Sequence, residues 1–206
     1  MELHFSLDDF ARELSDLIRI PSISALSQNR EQCFRVLEQV QFIVRPMQVE
    51  TQIVQTKGNP VFVGTLQNEK SCEWLTIYNH MDVQPAEEPQ WISKPFEPLV
   101  KDGKIIGRGA TDDKGPALTI IHAIREMQKQ NISLPNIQLV YETEEEIGST
   151  NFGSFLDESL AKKIIQKPNS ILVSDSEFEG EYPSVNYKLR GMVRVFLELE
   201  TGTQEA

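Results

Sequence analysis

The sequence predicts an α/β fold, a β-sheet with helices packed on both faces. Three observations predict it. Stretches of helical period alternate along the chain with short apolar, β-branched runs. Several of those runs are largely apolar, as strands buried on both faces are. Each such run ends in polar residues with chemistry of their own. That is where functional groups sit in α/β sheets, beyond the carboxyl ends of the strands.

The elements follow in order. Residues 6–19 read as a helix, with Ser6 placed to cap it and Asp9 three residues later as in a capping box. Phe10, Leu14, Leu17 and Ile18 share one face, and Pro21 ends the helix. A second amphipathic helix covers residues 30–43, with Val36, Val40 and Ile43 on the inner side. The period then changes. Residues 47–55 and 61–66 read as strands around a turn at 57–60. Residues 74–78 (WLTIY) read as a buried strand that ends at Asn79 and His80. Residues 82–98, with Pro85, Pro89, Pro95 and Pro98, have loop composition. Residues 115–130 form a helix carrying Leu118, Ile121, Ile124 and Met127 inward. Residues 137–141 (IQLVY) are a strand ending at Glu142, and residues 150–165 a helix. Residues 171–173 are a short strand ending at Ser174 and Asp175, and residues 192–199 alternate as a half-exposed strand does. No internal repeat or low-complexity segment is visible.

A chain of 206 residues suits one domain. It is long enough to bury roughly 70% of the surface its unfolded form exposes. The net charge of −11 argues against a nucleic-acid partner, which requires a basic face. Cys33 and Cys72 form no CxxC pair and read as two reduced thiols. The start has no basic residues followed by an apolar stretch, and nothing approaches the ~18 apolar residues of a membrane span. A cytoplasmic protein with no membrane partner is expected.

The polar segments after the strands carry the chemistry. They are His80-Met81-Asp82, then Gly107 to Gly115 (GRGATDDKG), then Glu144-Glu145-Glu146, then Ser174-Asp175. Taken singly, each has a plainer reading. HMD is a histidine satisfied by its neighbour. DDKG is a turn entering a helix, EEE a solvated acidic face and SD a helix cap. Together they place one imidazole and several carboxylates at successive strand ends. That is the ligand set of a hard or borderline divalent cation such as zinc.

The strings NHMDVQP, GRGATDDKGP, EEEIGS and VSD resemble those of the carnosinase, aminoacylase, acetylornithine deacetylase and succinyl-diaminopimelate desuccinylase family of co-catalytic zinc hydrolases. The Trp91…Lys94-Pro95-Phe96 stretch and Tyr187-Lys188-Leu189-Arg190-Gly191 resemble it too. The resemblance implies a three-layer αβα, zinc-exopeptidase-like catalytic domain with a mixed sheet, over residues 1–199. It implies that residues 200–206 begin the connection to a lid or dimerisation domain before which the chain stops. His80 and Asp175 would bind a first zinc, Asp112 would bridge to a second, and Glu146 would complete the second. The family often has a cis peptide after the bridging aspartate. Asp82 would stand behind His80 and orient it, and Glu145 would be the general base. The EEE run leaves the register open by one. The order IGS directly after the pair favours Glu145 and Glu146 over Glu144 and Glu145. His122, inside a helix, reads as structural or surface, and His4 sits at the frayed start.

The implied activity is hydrolysis of the amide bond of dipeptides or N-acyl amino acids by a metallopeptidase or deacylase, using a zinc-bound water with a glutamate base. Manganese or cobalt are alternative metals, and the full-length family forms homodimers. The family's remaining zinc-binding histidine and its lid histidine have no counterpart among His4, His80 and His122. A second possibility is therefore a catalytically incomplete remnant that folds and binds one metal without turnover. A phosphoesterase is a third and weaker one, since no phosphate-cradling loop is present.

Overall fold

Short runs rich in apolar residues, buried most fully in the middle strand, build a central sheet, and residues of helical period cover it. The structure, a computed structural model, describes residues 6–86, 89, 91–175, 184, 185, 191 and 195–199. Helix α1 (Leu7–Ile18) opens where Ser6 Oγ accepts a hydrogen bond from the Asp9 amide at 3.2 Å. This satisfies one of the orphan donors of the first turn. Helix α2 (Arg30–Val44) buries Val36, Leu37, Val40, Ile43 and Val44, one stripe of helical period. Strands β1 (Glu50–Val54), β2 (Val61–Leu66) and β3 (Trp74–His80) follow, then the short strands β4 (Leu99–Lys101) and β5 (Lys104–Ile106). Helix α3 (Lys114–Lys129), strand β6 (Asn136–Glu142), helix α4 (Phe152–Ala161) and strand β7 (Ser170–Val173) complete the described elements. All lie in the first of two compact units, Met1–Ser176; the second is Glu177–Ala206.

The five-stranded sheet has the order β1-β2-β6-β3-β7. β1 and β2 pair antiparallel, as do β2 and β6, while β3 runs parallel to both β6 and β7. The sheet is therefore mixed. Period-2 alternation sends the side chains of β6 to opposite faces. Ile137, Leu139 and Tyr141 join the core made with α1, α2 and α3, whereas Val140 packs with Val61, Val63 and Phe155 of α4. This gives the expected three αβα layers. The parallel registers set His80 opposite Glu142 and Tyr78 opposite Val173, so the ends of β3, β6 and β7 lie together.

Some boundaries differ from the sequence-based expectation. The strand predicted from residue 47 begins at Glu50. Met47 belongs to a 3-10 turn (Arg45–Met47), and Gln48 takes a left-handed conformation at φ 58°. The helix predicted over 150–165 spans only Phe152–Ala161, because Lys163 turns left-handed at φ 56°. Ile165 is still buried, packed from outside the helix. β4 and β5 form a two-residue hairpin in which Asp102 and Gly103 both have positive φ. That conformation suits an Asp-Gly turn. Of the strand expected over 192–199, residues 192–194 lie outside the described residues. Val195–Leu199 carry no strand, since they pair with no ladder among the described residues. Tyr187, Lys188, Leu189, Arg190, His4 and residues 200–206 also lie outside the described residues. No helix among the described residues is long and apolar enough to cross a membrane.

His122 is structural. Its Nε2 lies 2.8 Å from Glu13 Oε2, and its ring meets Phe10 edge-on at 5.2 Å. Arg125 Nη1 donates to the same carboxylate at 3.2 Å. Burial alone would raise the Glu13 pKa, but the hydrogen bonds and charges of His122 and Arg125 hold it below its ordinary 4.5. A carboxylate depressed in the folded state adds stability above its unfolded pKa and loses it as pH falls through the folded value. Glu13→Gln is therefore expected to lower the melting temperature at neutral pH. The gap from wild type should close as pH falls below 4.5. Melting curves across that range check it, and a gap that persists in acid counts against the ion-pair account.

Candidate metal centre

The alternation of β3 continues past its end. Met81 and Val83 are buried at 1% and 0% exposure, while His80, Asp82 and Gln84 take the other side. The extension is pinned from the apolar side. Val83 N donates to Ser22 O at 3.0 Å, Ser22 Oγ donates to Met81 O at 2.6 Å, and Ile23 and Val83 form a parallel bridge.

His80 is buried between carboxylates. Its Nδ1 lies 3.1 Å from Asp82 O and 3.4 Å from Asp82 Oδ1. Its Nε2 lies 3.0 Å from Asp112 Oδ1 and 3.8 Å from Asp175 Oδ1. Burial would lower its pKa; the Asp82 hydrogen bond and the charges of Asp82, Asp113 and Asp175 outweigh this and push it up to about 10. Asp82 is fully buried and works in two directions. Besides facing His80, its carboxylate accepts from the amides of Glu145 at 3.2 Å and Glu146 at 3.1 Å.

The segment between β5 and α3 brings in Asp112. Gly115 makes its close packing possible, because a Cβ there would meet the Ala110 carbonyl oxygen at 1.9 Å. The peptide between Asp112 and Asp113 is cis. The Asp112 side chain is 57% exposed, whereas Asp113 is fully buried. Asp113 Oδ2 accepts from Asn79 Nδ2 at 2.8 Å and from the His80 amide at 3.0 Å. Asn79 Nδ2 also donates to Ser174 O at 2.8 Å, joining the ends of β3 and β7. His80, Asp113 and Asp175 can each place one donor atom within 4.8 Å of the others. Asp113 Oδ2 is thus already committed to two donors, while Asp112 faces the outer nitrogen of the imidazole. Asp113 and Asn79 were not singled out from the sequence, although the doubled aspartate marked the position. Behind this loop, Lys114 is fully buried and donates to Leu17 O and Ile20 O at 2.9 and 2.8 Å. Burial pushes its amine down to about 7.

The acidic run after β6 divides by partner. Glu142 Oε1 accepts from Tyr78 at 2.6 Å and Ser149 at 2.8 Å. Glu144 is buried, with Oε1 accepting from the Asn59 amide at 2.8 Å and Oε2 from Asn151 Nδ2 at 3.0 Å. Glu146 Oε2 accepts from Gln84 Nε2 at 2.8 Å. Glu145 is half-buried, and its carboxylate accepts no hydrogen bond from the described residues. Burial raises the pKa of Glu145, Glu146 and Asp175, and neighbouring carboxylates add to each shift. Glu144→Ala would leave the Asn59 and Asn151 donors without their acceptor, a loss worth about 1–3 kcal/mol. It is expected to lower the melting temperature and leave metal content unchanged; loss of metal would place a ligand at Glu144.

No lysine or arginine among the described residues forms an ion pair with Asp112, Asp175, Glu145 or Glu146. One imidazole and several crowded carboxylates without a protein cation are a donor set that fits a divalent ion of zinc's type.

Known proteins resemble this chain in sequence and fold. The model of peptidase family M20/M25/M40 matches residues 76–187, more than half of the chain. The Cys-Gly metallodipeptidase dug1 of Schizosaccharomyces pombe is 34% identical over 202 residues, which cover 90% of this chain and 42% of that protein. The human Beta-Ala-His dipeptidase is 30% identical over 71% of this chain and 29% of its own length. Among solved structures, human carnosine dipeptidase 1 superposes with a TM-score of 0.75 at 26% identity, covering 83% of this chain and 39% of that one. An M20 family metallo-carboxypeptidase from Sulfolobus solfataricus gives 0.72 at 31% identity, covering 82% and 38%. The chain spans less than half the length of these relatives. By its matched segment and by this fold, the chain belongs to peptidase family M20/M25/M40.

Proposed function

We propose that this chain carries the metal-binding and proton-transfer part of a divalent-metal-dependent hydrolase that cleaves the amide bond of dipeptides, with N-acyl amino acids as the related substrate class. One observation carries the reading. His80 Nε2 faces Asp112 and Asp175 at 3.0 and 3.8 Å, and the uncommitted carboxylate of Glu145 stands beside the ligand candidate Glu146. The dipeptide preference rests on the Cys-Gly and Beta-Ala-His dipeptidases among the relatives.

His80 and Asp175 would hold a first ion, Asp112 would be shared, and Glu146 would hold a second, zinc being the metal that suits the set, with manganese and cobalt as alternatives. Such ions supply Lewis acidity and a nucleophile at neutral pH. The chain's own residues do the rest. Asp82 faces Nδ1 and so turns Nε2 of His80 toward the other carboxylates. Through the amides of Glu145 and Glu146 it also fixes the turn that carries both. Glu145 takes the proton of the attacking water on its carboxylate and passes it to the leaving nitrogen. Its pKa, raised by burial, moves toward the working pH, which favours a general base. Glu144, committed to Asn59 and Asn151, supports the register in which Glu145 and Glu146 share the work.

The test is zinc content of the purified 206-residue chain, paired with hydrolysis of Cys-Gly and β-Ala-His. Bound zinc with hydrolysis supports the reading; a chain that takes up no divalent metal removes it. One observation favours a second reading, a metal-binding fold without turnover. His80 is the one imidazole at the centre among the described residues, since His122 is paired with Glu13. Zinc bound without hydrolysis would select it. A homodimer and a cytoplasmic location belong to the same proposal, by likeness to the family.

A further inference from the structure

We infer that Gln84 is a positioning residue for Glu146, holding that carboxylate in place and thereby setting how tightly the centre binds its metal. The inference rests on the proposed reading of Glu146 as a metal ligand. Gln84 N donates to Glu146 Oε1 at 3.2 Å, and Gln84 Nε2 donates to Glu146 Oε2 at 2.8 Å and to Glu146 O at 3.0 Å. All three donors of Gln84 thus go to one residue, 62 positions away in the chain.

The backbone explains why Gln84 can do this. Val83 is buried and bridged to Ile23, which fixes the extended segment from its apolar side. Period-2 alternation then places Asp82 and Gln84 on the same side. Asp82 takes the amides at the base of the Glu145–Ile147 turn, and Gln84 takes the carboxylate that projects from it. The grip has a chemical logic as well. Glu146 sits among the charges of Asp112 and Asp82, both of which resist its ionisation. A neutral amide donor holds the carboxylate without bringing a cation that would compete with a metal for it. Gln84 itself is exposed and fills no core, so its bonds to Glu146 are what its side chain contributes. Outer partners of this kind typically change metal affinity by about 10–100-fold when removed.

The experiment is a zinc titration of the 206-residue chain against a competing chromophoric chelator. Wild type is compared with Gln84→Ala, Gln84→Met, Glu146→Gln and the Gln84→Met/Glu146→Gln pair. Methionine keeps the length and removes the two side-chain donors, leaving the backbone amide. Both Gln84 variants are expected to weaken zinc binding by about 10–100-fold. They should melt as wild type does without metal, and the effect of Gln84→Met should vanish once Glu146 is Gln. Undiminished affinity in the Gln84 variants, with weakened binding in Glu146→Gln, would overturn the role of Gln84 and spare Glu146 as a ligand. Full additivity of the pair would overturn it too, as would a fall in the metal-free melting temperature that matches the lost affinity. Undiminished affinity in Glu146→Gln would overturn the ligand role and this inference together.

Discussion

Glu145→Gln is expected to lower dipeptide turnover by about 10²–10⁴-fold, the usual contribution of a general base. Bound metal should stay at the wild-type level. The two halves of the result have separate causes. Turnover needs a carboxylate that is free to take and release a proton, and Glu145 is the member of its acidic run with no hydrogen-bond donor on its carboxylate among the described residues. Metal retention needs only that the ligand candidates stay in place. Glutamine keeps the size of the side chain, and the bond from the Glu145 amide to Asp82 is made by backbone, so the substitution leaves it intact. The variant should be assayed beside wild type in the polypeptide that turns over dipeptides, with metal measured on the same samples. A variant that loses metal along with activity would move the ligand to Glu145 and shift the register by one.

His80→Ala is expected to empty the first ion's place in the centre. The imidazole is its one nitrogen donor among the described residues, and Asp112 and Asp175 converge on its Nε2. Without it, two carboxylates, Asp112 and Asp175, remain to hold the first ion. The loss of affinity should exceed the 10–100-fold or so that follows removal of an outer partner. Because His80 is buried at the end of β3, folding has to be checked by circular dichroism and melting. Asp175→Asn, at a more exposed position, serves as a second variant that removes a ligand candidate without opening a cavity. Metal content unchanged in both would leave the first ion without its assigned ligands.

The meeting of His80 and Asp175 was legible in the sequence for a physical reason, whereas Asp112, between β5 and α3, was singled out by the resemblance carried by GRGATDDKGP. In parallel strands the register aligns the carboxyl ends, so polar residues that follow successive apolar runs must meet. The acidic run was less legible. Glu144, Glu145 and Glu146 are chemically identical, and their neighbours in space distinguish them. Glu144 turns toward Asn59 and Asn151, over Gly58, where a Cβ would lie 1.8 Å from its Oε1. Gln84 was hidden because HMDVQP reads as a strand end followed by a loop. The alternation of His80, Asp82 and Gln84 against Met81 and Val83 was the available signal. The β4–β5 hairpin carried a signal as well, the Asp102-Gly103 pair, but strands of three residues are too short to show a period. The early end of α4 had none. No glycine or proline lies at residues 161–165 to mark it, and Lys163 takes a left-handed conformation that a non-glycine residue adopts only at a cost.

Asp175 stands just past β7, and β7 is the least protected strand of the sheet. It has four residues, pairs with β3 alone among the described residues, and leaves Ile171 and Val173 64% and 57% exposed. His80, by contrast, ends a strand flanked on both sides. The two ends of the proposed ligand set are thus anchored with unequal firmness. Short, weakly covered segments fray at far smaller free energies than whole domains unfold. With Asp175 as a ligand, each fraying of β7 would withdraw a carboxylate from the ion, and the observed dissociation constant would be the intrinsic one divided by the closed fraction. The relation is reciprocal, and an ion that binds only the closed form holds the strand down by mass action. Amide hydrogen exchange would show both sides of this. Exchange in β7 should slow as metal is added while exchange in the interior strand β6 barely changes, so the margin of the sheet acts as a reporter of occupancy.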